Sequence, residues 1–411
     1  MQAQLAWRNI WRNPRRTLVI LTAVIIGIWS MIFLGALMRG MEVEMIQNSL
    51  RTLTGNLQIH HQDYRKDPVV ENRITETTAL ENTLAEILPA DAHWADRVRV
   101  DAIASNARHS TGVTLVGIDP DREKAVSFVG NAVQEGRYLQ KDDGNKIIIG
   151  QALLEKFEAK IGHKLVLMAQ GTDKEVASKA FRIVGTYRAE MEATEKQFVF
   201  VNLASAQKML KMGPAISEVS IILDLPDLSG DRERIIAEKL KTAFRDSAYQ
   251  VETWQELLPM MREYLHIFDG FIYIWYLVVF VAMGFGIVNT SLMAIYERMR
   301  EFGLLKALGM KPAGIVRGVI TESFFLLFLG IMMGDALGVI SVWLLDQTGI
   351  NLTALAAGAE MWGMPRILYP ELWAIDMSTA NVVVFLLGMV VSIYPAITAA
   401  RFTPVKAMAK V

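Results

Sequence analysis

Apolar and polar positions along the chain fall into two regimes. Uncharged runs occupy residues 17–38, 270–296 and 379–397, and a fourth run, 323–345, carries one acid, Asp335. As a helix the first run would extend about 33 Å at 1.5 Å per residue, enough to cross a bilayer, and the other three are of similar length. These runs predict membrane spans at 17–39, 269–296, 318–345 and 379–398. A cleavable signal peptide is the rival reading of the first, but its apolar core would be only about 7–15 residues, so a retained anchor is expected.

Between residues 40 and 268 the local period alternates between two and roughly 3.6. Strands are predicted at 56–61, 114–117, 146–149, 164–169, 181–187, 197–202 and 218–224. Helices are predicted at 79–88, 151–157, 205–212 and 231–247. A mixed α/β domain of this length can bury its own core, with room for two subdomains. Gly162 reads as a turn between elements, and Gly185, inside a strand, as a bulge. Residues 1–16 carry Arg8, Arg12, Arg15 and Arg16 and no acid, beside Leu5, Trp7, Ile10 and Trp11. That pattern fits an amphipathic helix lying in the headgroup layer.

The fold class is therefore an α-helical membrane protein with four transmembrane helices and a large extramembrane α/β domain. Basic residues set its orientation, because Lys and Arg are retained in the cytoplasm. Residues 1–16, 297–317 and 399–411 carry twelve of them, whereas the 346–378 loop carries only Arg366. Both termini and the 297–317 segment are expected in the cytoplasm, and the 40–268 domain and the 346–378 loop on the other side. Tyr273, Trp275 and Trp343 then fall at the outer interface, where aromatic belts form.

Composition narrows the chemistry. Hydrophobic residues make up 52% of 411 positions, too apolar for an ordinary soluble enzyme, and a net charge of -1 gives no argument for nucleic acid. With no cysteine there is no disulfide framework, thiolate metal site or cysteine nucleophile. No G-x-S-x-G elbow occurs, and no Gly-Lys dipeptide, so the phosphate-binding loop of an ATPase is absent from this sequence. His60 and His61 are adjacent in a predicted strand, point to opposite faces and cannot share an ion. No metal site is expected.

In the third span Asp335 costs about 2.5–3.5 kcal/mol to insert, which the thirteen Leu, Ile, Val and Phe residues of that span offset by roughly 4–8 kcal/mol. Gly330, Gly334 and Gly338 form a stripe at spacing four, which admits a close helix neighbour. Asp335 lies one residue off that stripe, toward the bundle interior. Two readings stand: a polar lining of a substrate path or a coupling contact, or a carboxylate, ionised or protonated, that hydrogen-bonds a neighbouring helix.

Between the second and third spans runs ERMREFGLLKALGMKPAGIVRGVITES, residues 297–323. A short helix is predicted, with Glu297 and Glu301 early and Lys306 late, as the helix dipole prefers. Leu304, Leu305 and Leu308 cluster on one side, Gly309 ends the helix and Pro312 restarts the chain. On spacing alone it reads as a solvated loop.

The pattern E-R-x-x-E-[FI]-G-x-x-K-A-L-G, followed by E-S, resembles the signature of FtsX-type ABC transporter permeases, the family of the LolC and LolE lipoprotein exporters and the MacB efflux pump. The blocks GIDPDREKAVSFVG, EGRYLQKDDGNKIIIGQALLEKFEAKIGHKLVL and AFRIVGTYRAEMEATEKQFVFVNLASAQKML resemble the family's periplasmic core domain, and YPAITAARFTPVKAM its last span. The resemblance implies a non-catalytic inner-membrane subunit that dimerises with a same or paralogous subunit. Two separate ATPase subunits would bind ATP and Mg, and their motion would pass to the outer domain. It places the ATPase-coupling residues at Glu297, Arg298, Glu301, Gly303, Lys306, Ala307, Leu308 and Gly309. Glu322, at the start of the next helix, is read as positioning this segment, satisfied by the helix N-terminus or by Arg317.

The layout implies extraction or export of a lipoprotein or other lipidic substrate. The alternatives are a regulator of a cell-wall hydrolase and tripartite efflux of toxins or drugs. A periplasmic partner is implied by a looped hook in relatives; the matching segment here, 188–196, is short.

Overall fold

The computed structural model of the protein describes residues 2–12, 14–223, 231–351 and 367–402. Its contacts separate a helical unit, made of residues up to Glu42, Tyr264–Asn351 and those from Ile367, from an α/β unit centred on Val43–Glu263.

The chain opens with helix α1 (Gln2–Arg12) and the long helix α2 (Pro14–Ser49). In α1, Ile10 is fully buried while Trp7 and Trp11 remain exposed. Its C-terminal end is tied to α2 by the Thr17 hydroxyl, which donates to the Ile10 carbonyl at 2.5 Å. A tight turn, Leu50–Thr54, follows α2, with Leu53 held at a φ of 70°.

The α/β unit then runs β1 (Leu57–His61), α3 (Thr77–Ile87), β2 (Ala92–Ser105), β3 (Ser110–Ile118), α4 (Pro120–Val126), β4 (Val133–Gly136), β5 (Lys146–Gly150), α5 (Gln151–Lys156), β6 (Lys164–Gln170) and β7 (Val176–Tyr187). It continues with α6 (Glu192–Gln197), β8 (Phe198–Asn202), α7 (Leu203–Leu210), β9 (Glu218–Leu223), α8 (Asp231–Ala243), β10 (Tyr249–Thr253) and α9 (Trp254–Leu257).

β2 organises this unit. Its first half pairs antiparallel with β9, which pairs with β1 and through it with β10. Its second half pairs with β3 and, at the far end, with β6. Following the ladder from β3 through β8, β5, β7 and β6 returns to β2, so six strands close into a barrel. Val98, Val100, Ala102 and Ala104 of β2 alternate into the barrel core beside Leu115, Ile149, Leu165, Phe181 and Val201. The open sheet has a separate core, where Leu80 and Leu84 of α3 and Ile236 and Leu240 of α8 cover Leu57, Ile59, Val219 and Ile221. These are the two subdomains for which the domain's length left room.

All seven predicted strands and four predicted helices form within their described residues, with shifted ends; position 224 lies outside them. Strands β2, β4 and β10 and helices α4, α6 and α9 were not expected. β2 escapes a hydropathy reading because Asp96, Arg97, Arg99 and Asp101 interrupt it. Yet Arg97 is wholly buried, because Glu123 of α4 neutralises it with Nη2–Oε1 at 2.7 Å and Glu218 of β9 lies 3.6 Å away. Its Nη1 donates to the Leu53 carbonyl at 2.5 Å, which fixes the left-handed turn after α2. Gly162 adopts a φ of 94° in the turn before β6. At Gly185 the β5–β7 register shifts by one residue, and a Cβ there would meet the Arg137 carbonyl at 2.4 Å, so the bulge accommodates a close backbone approach.

The helical unit is completed by α10 (Pro259–Glu297), α11 (Met299–Ala307), α12 (Pro312–Thr348), the short pair β11 (Ile350–Asn351) and β12 (Ile367–Leu368), and α13 (Ala374–Arg401). Among the described residues four helices, α2 with its following turn, α10, α12 and α13, are long and apolar enough to cross a membrane. The predicted glycine stripe finds its neighbour in α2: Cβ atoms at Gly330, Gly334 and Gly338 would lie 2.5, 2.7 and 2.8 Å from side-chain atoms of Val24, Ile28 and Ile32. The stripe thus sets a close helix crossing. Of the expected belt, Tyr273 and Trp343 are exposed, whereas Trp275 is half-buried and packs against the helical core. Of the predicted 346–378 loop, residues 346–348 continue α12, β11 and β12 pair, α13 already begins at Ala374, and 352–366 lie outside the described residues, as does the tail from residue 403.

Candidate functional site

The motif segment folds as a helix held on two sides. Arg298, with ψ at 14°, breaks the run between α10 and α11. Leu308 caps α11, Gly309 takes a φ of 96° that a side chain would resist, and Pro312 supplies the first turn of α12. On its inner side Phe302 packs with Ile295, Ile315, Val319, Ala396 and Ala399, and Leu305 joins them. Gly303 is buried.

An ion network surrounds that contact. Arg12 of α1 donates through Nη2 to both oxygens of Glu301, at 2.6 and 2.7 Å. Arg298 donates from Nε to Glu301 at 3.1 Å and from Nη1 to Glu322 at 3.0 Å. Arg16 donates to the other Glu322 oxygen at 3.1 Å. Five side chains from α1, α2, the α10–α11 break, α11 and α12 therefore alternate in sign, Arg12, Glu301, Arg298, Glu322, Arg16. Burial would raise the Glu301 carboxyl, but its bonds to Arg12 and Arg298 outweigh that and hold it below the usual range. The Arg12–Glu301 pair is about half exposed and contributes only roughly 0.2–1 kcal/mol, so its effect is to fix register more than to add stability. Glu322, nearly buried with both arginines, is the costlier group to remove.

This corrects the expected surroundings of Glu322. α12 starts at Pro312, so Glu322 sits well inside that helix, and its partners are Arg16 and Arg298, not the helix N-terminus or Arg317. Nor do the three leucines share a face. Leu305 turns inward while Leu304 and Leu308 are 55% and 76% exposed, leaving an apolar patch with Met310, flanked by exposed Glu297, Ala307, Gly309 and Lys311. Lys306 turns to the last turn of α13, where its ammonium donates to the carbonyls of Ala400 and Phe402 at 2.6 and 2.9 Å. Of the predicted coupling residues, then, Arg298, Gly303 and Lys306 hold the segment to its own unit, Glu301 ties it to α1, and Glu297, Ala307, Leu308 and Gly309 remain open. Arg12, Arg16, Leu304 and Met310 were not anticipated as part of it; the lone clue was that residues 1–16 are basic while Glu301 and Glu322 are acidic.

Asp335 is half-buried and accepts from the Asn381 amide of α13 at 2.9 Å. The other Asp335 oxygen, Oδ1, and the Asn381 amide oxygen are buried with no hydrogen-bond partner among the described residues. The contact is between neighbouring helices, and Asp335 lies apart from the ion network. In the α/β unit His60 is buried and paired to Glu252 at 2.9 Å, which raises its affinity for a proton against the opposing effect of burial. Among the described residues no group of three or more His, Asp or Glu side chains is placed to hold a metal ion.

Residues 17–234 match the MacB-like periplasmic core domain family, and residues 273–404 match the FtsX-like permease C-terminal region. The chain is 21% identical over 408 residues to the lipoprotein-releasing system transmembrane protein LolC of Neisseria meningitidis serogroup B, covering 95% of this chain and 93% of that protein. It is 23% identical over 328 residues to LolE of Haemophilus influenzae, covering 76% of each. To the macrolide export ATP-binding/permease protein MacB of Nitrobacter winogradskyi it is 23% identical, covering 99% of this chain and 60% of that protein. The chain belongs to the MacB-like periplasmic core domain family and is an ABC transporter permease of the LolC, LolE and MacB type.

Proposed function

We propose that this permease converts ATP-driven motion into displacement of its α/β domain, with α11 as the element that receives the push. One observation carries this reading: α11 and the residues just after it leave Leu304, Leu308 and Met310 exposed, while Glu301, Arg298 at the helix start and Lys306 are bonded to α1, α12 and α13. A partner seated on the exposed side would move those helices together, because a bonded and packed helix transmits displacement as a rigid body.

In this reading two ATPase subunits, each binding ATP and Mg, dock on the cytoplasmic side, and a second permease subunit, identical or paralogous, completes the complex. The termini and α11 face the cytoplasm of a bacterial inner membrane, and the α/β domain lies outside it. Relatives named as lipoprotein-releasing proteins support a lipoprotein or other lipidic substrate drawn from the membrane.

The test is purification of the full chain with its native partners, followed by mass spectrometry of proteins and lipids. A co-purifying ATPase with bound lipoprotein or lipid is the expected outcome. A cell-wall hydrolase in place of substrate would turn the reading toward regulation, and an adaptor with an outer-membrane channel toward efflux. Absence of any ATPase would overturn it.

A further inference from the structure

In the half of α2 remote from its Arg16 pair, one guanidinium collects three carboxylates. Arg39 donates through Nη1 to Glu42 at 2.6 Å and lies 2.8 Å from Asp269 of α10. Its Nε and Nη2 reach the two oxygens of Asp376 of α13 at 2.7 and 3.2 Å, and its plane lies 4.4 Å from the Trp373 ring. Backbone contacts reinforce the joint. Glu371 N–H donates to the Ala36 carbonyl at 2.9 Å, and a Cβ on Gly40 would fall 2.0 Å from the Tyr369 carbonyl, so only glycine admits that strand of chain against α2. Asp269 is about 42% exposed, but Arg39, Glu42 and Asp376 are nearly buried.

Position along the chain gives this joint its meaning. The α/β unit begins at Val43 and its main segment ends at Glu263, so Arg39 and Asp269 stand on the two stalks just before it and just after it. Arg16 and Arg39 are 23 positions apart on one helix, about 35 Å. Thus α2 is ion-paired near its start, to Glu322, and again ten residues before its end, to Asp269 and Asp376.

We propose that Arg39 is a positioning residue that clamps the two stalks of the α/β domain at a fixed separation, so that a displacement delivered at α11 reaches both stalks together. The proposal rests on the coupling reading above, but the clamp can be tested without it. The chain has no cysteine, so Met41→Cys and Ile267→Cys place two spin labels, one on each stalk, with no background. In the full-length protein in lipid nanodiscs the label distance is expected to be narrow and unchanged when ATP is added to the complex. Arg39→Gln and Asp269→Asn are each expected to broaden it about twofold or more, and Asp269→Glu to keep the narrow distribution, because the first two remove the ion pair that links the stalks and the third retains the carboxylate.

An unchanged width in both Arg39→Gln and Asp269→Asn would overturn the clamp, as would an ATP-dependent change in the unsubstituted pair. If Arg39→Gln fails to fold, Asp269→Asn still cuts the link between stalks and leaves Arg39 paired with Glu42 and Asp376. Failure of the coupling reading would show differently, as loss of the ATPase from the complex with the label distance intact.

Discussion

The Lys306 ammonium donates to the Ala400 carbonyl at 2.6 Å, across 94 positions of sequence. This bond turns one of the two cations of α11 onto the C-terminal carbonyls of α13, which lack intrahelical donors, while Arg300 stays exposed. Lys306→Met should therefore leave ATPase binding in place while loosening α11 from α13. Hydrogen exchange is expected to quicken in the last turn of α13, and ATP hydrolysis to lose most of its dependence on substrate. Unaltered exchange there would remove Lys306 from the joint.

Glu301→Lys replaces the acceptor of Arg12 and Arg298 with a third cation. The lost exposed pair itself is worth roughly 0.2–1 kcal/mol, so the fold should survive with near-normal melting. What should fail is coupling: hydrolysis by the co-purified ATPase no longer responds to substrate. Gly303→Trp, at a buried point of the same helix, should uncouple similarly, and normal stimulation in both variants would refute the assignment.

Gly334→Leu puts a branched side chain where a single carbon already meets Ile28 at 2.7 Å and the Ile25 carbonyl at 3.1 Å. Overpacking of this kind costs about 1–3 kcal/mol or more. Melting of the detergent-solubilised chain should drop by several degrees, whereas Gly318→Leu, at a position with no neighbour within 4 Å, should be close to neutral.

Arg97→Met should destabilise the α/β unit by roughly 3–5 kcal/mol, because it strands buried Glu123 and Glu218 and releases the Leu53 carbonyl. Hydrogen exchange of β2 and β9 in the full chain is the measurement. Pairing Arg97→Met with Glu123→Leu should recover part of the loss, since one of the stranded charges is then removed.

Asp96 gives the α/β unit a pH dependence. Burial, then the hydrogen bond with Glu81, push its carboxyl from the ordinary 3.8 up to about 7, against the opposing Arg122. The folded form thus holds a proton that the unfolded chain releases, so the stability this group contributes is complete below about pH 4 and is lost as the pH rises toward 7. Asp96→Asn should flatten that decline, read as the difference in unfolding stability between variant and parent from pH 4.5 to 7.5.

Much of the architecture is local and so legible in the chain. A span needs only a long uncharged run, and α11 ends where Gly309 accepts a positive φ and Pro312 begins the next helix. The sites are less local. Arg12 and Glu301 are 289 positions apart and Arg16 and Glu322 are 306 apart, and nothing in the spacing of either arginine names its partner. Asp335 could be flagged as an expensive group in its span, but its bond to Asn381 depends on how α12 and α13 rotate against each other.

By itself the sequence determined the four apolar helices, the change to an α/β domain between the first two, the break at Gly309 and the family motif, because each follows from residues adjacent in the chain or one helical turn apart. Only the tertiary structure decided that β2, charged and unremarked, closes a barrel and anchors a second sheet, that Lys306 faces inward while Leu304 and Leu308 face out, and that Arg39 joins the stalks. Those outcomes depend on which distant charges meet when the apolar surfaces pack. A buried charge is tolerable only where its partner arrives with it.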